Sequence, residues 1–117
     1  MNYSKLYIAV LDEVSDFIVP TLVAHSILNA HMLWEYEDDY RLWLKDSFRK
    51  VVLRVNRKEF DKIRTTLTCW EGHENTTVGG EKSCLVVFPV ESDAIPNVLK
   101  FAKLWKPKEK DNADKNI

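Results

Sequence analysis

The sequence predicts an α/β protein, a three-layer α/β/α arrangement around a small, mixed, four-stranded sheet. Three observations predict it. Short apolar, β-branched runs alternate with stretches of helical period, the chain order of strand–helix units. The first run, "KLYIAVL" (5–11), is almost continuously apolar, as a strand covered on both faces must be. The last two strand-like runs are separated by a polar loop with Gly79-Gly80 and no helical pattern, so they pair antiparallel, whereas a helical crossover makes the first two parallel neighbours.

The elements follow in order. After 5–11, Pro20 opens a helix, because its missing N–H costs nothing in a first turn. Leu22, Val23, Ile27, Leu28 and Leu33 keep its period through about Trp34. "EYEDDY" interrupts with acidic residues, and "RLWLKDSF" reads as a short second helical turn. "KVVLRV" (50–55) is the second strand, and "KEFDKIRTTL" places Phe60, Ile63 and Leu67 at helical spacing. "LTCWEG" is a shorter third strand, "HENTTVGGEK" a loop, and "SCLVVFPV" (83–90) the fourth strand. "SDAIPNVLKFAKLW" reads as a final helix with Ser92 or Asp93 as its N-cap. Residues 1–105 thus form one domain, and 106–117 a polar, unpatterned, flexible tail.

Of 117 residues, 45% are hydrophobic and 30% charged, with a net charge of -1, which gives no global electrostatic case for nucleic acid or membranes. No export signal is visible, and no apolar run approaches the ~20 residues of a membrane span. Two cysteines, Cys69 and Cys84, lack CxxC spacing. A cytoplasmic protein with no membrane partner is expected. The charges are uneven: the first third is acidic, and the middle carries Lys45, Arg49, Lys50, Arg54 and Arg57.

No GxGxxG, P-loop, HExxH or paired CxxC occurs. His25 and His31 lie six apart, on different sides of a helix, so they do not form a metal pair. No metal or cofactor is expected. His25 sits among Val23, Ile27 and Leu28, and is read as facing the sheet beside a pocket, where it packs and hydrogen-bonds. In α/β sheets ligands sit beyond the carboxyl ends of the parallel strands, here the stretch from Asp12 to Val19. The densest polar cluster is "CWEGHENTTVGGEKS". In it Glu71 and Glu74 are candidate general bases, and Thr76, Thr77 and Ser83 are hydroxyls that orient a water or a carbonyl.

The order and spacing of "AHSILNAH", then a tryptophan and "KVVLRV", then "GG..S.LVVFP" and a final helix resemble type-2 peptidyl-tRNA hydrolase over about residues 4–105. In that family a Cys-Ser-His-Ala-Ala stretch lies on the first helix, and Val-Ala-His-Ser-Ile (23–27) falls there, placing His25 at the family histidine. Trp43 precedes Lys50-Val51-Val52 by seven residues, as in the family. The family's acidic residue, threonine, glycine and second threonine fall on Glu71, Asn75 with Thr76 beside it, Gly79 and Ser83, and Pro89 ends the strand. The family's Gly-Lys-Gly-Lys stretch is replaced by "SDFIVP", without its lysine.

The resemblance implies hydrolysis of the peptide–tRNA ester, with Glu71, Glu74, Thr76 and Ser83 at the chemistry. His25, Lys45, Arg49, Lys50, Asn75 and Thr77 would hold the substrate, the cations taking phosphates. It also implies a tRNA partner and a homodimer, which four tryptophans in so small a chain also suggest. Without the lysine, activity is expected to be weak or lost. The alternative is a non-catalytic module binding a small ligand, RNA or protein on the same scaffold.

Overall fold

The computed structural model describes residues 3–72 and 82–108. Their elements run β1 (Ser4–Leu11), α1 (Val19–Trp34), α2 (Asp38–Lys45), β2 (Arg49–Val55), α3 (Arg57–Thr66), β3 (Cys69–Gly72), β4 (Cys84–Glu91), α4 (Asn97–Lys100) and β5 (Lys103–Leu104). They build one mixed sheet of order β3-β4-β1-β2-β5. β1 pairs parallel with β2 and antiparallel with β4, and β3 pairs antiparallel with β4.

The central place of β1 explains its composition: Leu6 through Leu11 are all buried, because both edges are paired and both faces covered. Side chains alternate between the faces. One face carries Ile8, Val86 and Cys84, which share rungs or positions two apart. It is covered by α1 and α2: Ser26 of α1 hydrogen-bonds the Cys84 side chain, and the Trp34 ring meets Phe88 edge-on at 5.1 Å. The other face carries Tyr7, Val51 and Leu53, beside Leu99 of α4, with α3 packed against α4.

Four expectations change. The sheet has five strands, because the open edge of β2 captures Lys103–Leu104, paired with Arg54 and Leu53. The final helix shrinks to Asn97–Lys100 behind Pro96, since a proline lacks the N–H of a helix interior and disfavours helix in the residue before it. Ser92 caps nothing; its hydroxyl accepts from the Tyr3 N–H at 3.3 Å. The acidic stretch does not merely interrupt: Asp38 and Asp39 form the first turn of α2, where negative charge meets the positive helix end. At the end of the described residues the Lys108 N–H donates to Asp16 at 2.6 Å.

α3 starts at a capping box. Asn56 Oδ1 accepts from Glu59 N–H, and Glu59 Oε1 accepts from Asn56 N–H, both at 2.8 Å. Two otherwise unsatisfied donors are met reciprocally, and Phe60 and Ile63 are set into the core. The aromatic residues mostly join α1 to α2: Trp34, Tyr40 and Trp43 are buried with ring centroids 5.4–6.0 Å apart. That use removes Trp34 and Trp43 from any partner surface.

Candidate functional site

The buried stripe of α1 is Val19, Leu22, Ser26, Ala30 and Trp34, spaced three or four apart as one helix face requires. His25 is one position off that stripe, about 100° around the helix, and is exposed. It therefore does not face the sheet, contrary to the expectation. Ser26 does: its hydroxyl donates to the Leu22 carbonyl at 2.7 Å. Burial, partly offset by the hydrogen bond with Ser26, pushes the Cys84 thiol up to about 12. A thiol so held is neutral and enclosed, a packing group rather than a nucleophile.

The carboxyl ends of β1 and β2 are bridged on one side, and beside the bridge Asp12, Arg54, Asn56, Glu59, Phe101 and Lys103 line a hollow of about 230 Å³. Asp16 and Arg54 pair at 3.2 Å with side chains only 10% and 15% exposed. Arg54 also donates to the Lys106 carbonyl, and its guanidinium lies 5.0 Å from the centre of the Trp105 ring. Trp105 N–H donates to Val52 at 2.9 Å, and the Lys108 ammonium donates to the Asp12 carbonyl at 2.8 Å. Arg57 pairs with Glu13 at 2.8 Å. Residues 105–108 thus lie as a strap where an α/β sheet ordinarily takes its ligand.

Glu71 and Ser83 lie toward this end. Glu71 pairs with Leu85 and shares the face covered by α3. There the neighbouring Cys69 thiol is pushed up to about 11, first by burial and then by the Glu71 carboxylate, against the opposing Arg64. Ser83 is buried, and its hydroxyl has no hydrogen-bond partner among the described residues. Lys82 beside it is exposed. His73, Glu74, Asn75, Thr76, Thr77 and Gly79 lie outside the described residues.

Lys45, Arg49 and Lys50 sit at the opposite, amino end of the parallel strands. Ala9 shares rungs with Leu53 and Leu85, and Leu85 with Glu71. Arg49 is four residues down and three strands across from Glu71, which places their backbones roughly 20 Å apart. The basic and acidic halves of the expected site are therefore separate. The basic end is also aromatic. Arg49 lies 4.0 Å from the Tyr3 ring centre and Lys50 3.2 Å from that of Phe48.

Phe48 itself was not legible. It has φ 56°, a conformation rarely taken by a bulky residue. Its N–H donates to Trp43 at 2.8 Å, and its ring, 54% exposed, lies 5.5 Å from that of Trp43. Arg54 left a signal, a lone charge inside an otherwise apolar run, but its partner lies 38 residues away. Among the described residues no group of three or more His, Cys, Asp or Glu could hold a metal, and no helix is long and apolar enough to cross a membrane. The sequence matches no family model, and no curated protein matches it.

Proposed function

We propose that this protein is a binding protein on a scaffold resembling type-2 peptidyl-tRNA hydrolase, and that it holds its ligand at the amino ends of β1 and β2 without cleaving peptidyl-tRNA. One observation carries this reading: the enclosed cation at the carboxyl ends, Arg54, is taken up by Asp16 and by the strap that follows β5. Ester hydrolysis develops negative charge on oxygen and gains most from a cation in a water-excluded site. Arg54 is the enclosed cation at that end among the described residues, and Asp16, the Lys106 carbonyl and Trp105 engage it. Lys82 is solvated, where its charge is screened.

The resemblance is supported by the chain order of the elements and by Trp43, buried with its indole donating to Arg49 at 2.8 Å just before Lys50. The reading includes a cytoplasmic location, supported by two free thiols. A homodimer belongs to it through exposed Leu28, Met32 and Leu33 on α1. A second reading, binding of tRNA, is favoured by the exposed cations Lys45, Arg49 and Lys50 and by the exposed Phe48 ring, against which Lys50 rests, a combination of cations and stacking surface suited to single strands.

The test is turnover of peptidyl-tRNA by the full chain and by Glu71→Gln, both purified free of host hydrolase. No release above the buffer rate is expected from either. Turnover that Glu71→Gln abolishes would overturn the reading.

A further inference from the structure

Between α1 and α2, at the amino end of β2, lies a groove of about 280 Å³. Leu28, His31, Tyr40, Trp43, Phe48 and Lys50 line it. At about 30 Å³ for each water displaced, it admits a molecule of roughly ten non-hydrogen atoms. Its wall is carbon apart from two places. His31 Nδ1 and the Tyr40 hydroxyl share a hydrogen bond of 2.9 Å, so their polarity is spent on each other. The Lys50 ammonium stands at the rim, donating to the Phe48 carbonyl at 2.7 Å and resting 5.4 Å from the Trp43 ring centre.

The charge at the rim is the informative feature. None of the lining residues is acidic. An ammonium has three donors, and the Phe48 carbonyl takes one. Desolvation lowers the Lys50 pKa, so a negative partner there would relieve a cost already present. Phe48 holds its ring at the rim by way of the φ of 56°, and backbone strain of this kind gathers at ligand sites.

We propose that this groove binds a small apolar carboxylate, the size of a medium-chain fatty acid or an aryl-alkanoic acid, with the tail between α1 and α2 and the carboxylate on the Lys50 ammonium. The inference rests on the reading that the amino end is the binding end, and adds the ligand class. Volume selects a small molecule, carbon lining selects an apolar body, and the lone cation selects the anionic head.

The test is a titration of the isotope-labelled full chain with octanoate and, separately, with 1-octanol, which has the same length and no charge. Octanoate should shift the Trp43 indole N–H and the amides of Leu28, His31 and Lys50 saturably, at least tenfold more tightly than octanol. Lys50→Met should erase that preference, and Lys50→Arg should keep it. If Lys50→Met does not fold, loss of octanoate affinity on acidification below the carboxylate pKa reads the same charge dependence. Equal affinity for the two probes, shifts centred elsewhere, or no saturable shift would each overturn the inference. Peptidyl-tRNA turnover overturns the functional reading instead, so the two failures are distinct.

Discussion

Replacing Arg54 by alanine removes the link between Asp16 and the strap in one step. The pair with Asp16 is largely enclosed, at 3.2 Å with exposures of 15% and 10%, and stranding one partner of a buried pair costs about 3–5 kcal/mol. The hydrogen bond to Lys106 is lost as well, with a contact to Trp105 worth about 0.5–2 kcal/mol. Part is returned, because Arg54 Nη1 is buried with no partner among the described residues, and removing an unmet donor recovers about 1–3 kcal/mol. Asp16 also keeps the Lys108 N–H. The net expectation is about 3 kcal/mol, which in a domain this size lowers Tm by roughly 12 °C or more. Urea unfolding of Arg54→Ala, Asp16→Ala and the double variant measures it, with a coupling of about 2 kcal/mol expected from the cycle. A loss below about 1 kcal/mol, or additive single effects, would refute the view that this pair holds the strap in place.

Three further outcomes are expected. Asn56→Ala, which removes the capping box, should cost about 1 kcal/mol in thermal unfolding, with Asp in its place nearly neutral. The Cys84 thiol is neutral in the fold up to about pH 12 but ionises near its ordinary 9.0 when unfolded. Its contribution is therefore complete below pH 9 and is lost as pH rises toward 12. Cys84→Ala, although less stable at neutral pH, should flatten the alkaline limb of a stability–pH curve. Ser26→Leu, in the core stripe of α1, should lower the urea midpoint of unfolding, since the added carbons have no room there.

The sheet was legible where composition is one-dimensional. "KLYIAVL" could hardly be anything but a strand covered on two faces, and the lack of a helical pattern between Gly72 and Ser83 fixed an antiparallel β3–β4 pair. Boundaries failed where a neighbour decides. Nothing local makes a strand of Lys103–Leu104; the open edge of β2 does. The site was less legible, for two physical reasons. A helix turns about 100° per residue, so continuing the stripe from Leu22 through Val23, Ile27 and Leu28 rather than through Ser26 and Ala30 brought His25 in and left Ser26 out. Which end of the sheet a cation occupies depends on strand direction and register, so Lys45, Arg49 and Lys50 were grouped with Glu71 although β4 and β1 stand between the strands of Glu71 and of Arg49 and Lys50. The strap is a long-range contact between Asp16 and Lys108, and no spacing rule reports it.

Arg54 is held by Asp16 and the strap and so is not presented to a reacting oxygen, and amide hydrogen exchange tests that directly. The Trp105 N–H is bonded to Val52 at 2.9 Å, and the Lys108 N–H to Asp16 at 2.6 Å. If the strap stays down, Trp105 should exchange roughly a thousandfold more slowly than an unstructured amide, and Lys108 should be measurably slowed. Arg54→Ala should release both while β1 amides stay protected. Exchange of both amides at the unstructured rate in the unaltered protein would mean that the strap does not hold Arg54, and would contradict the account.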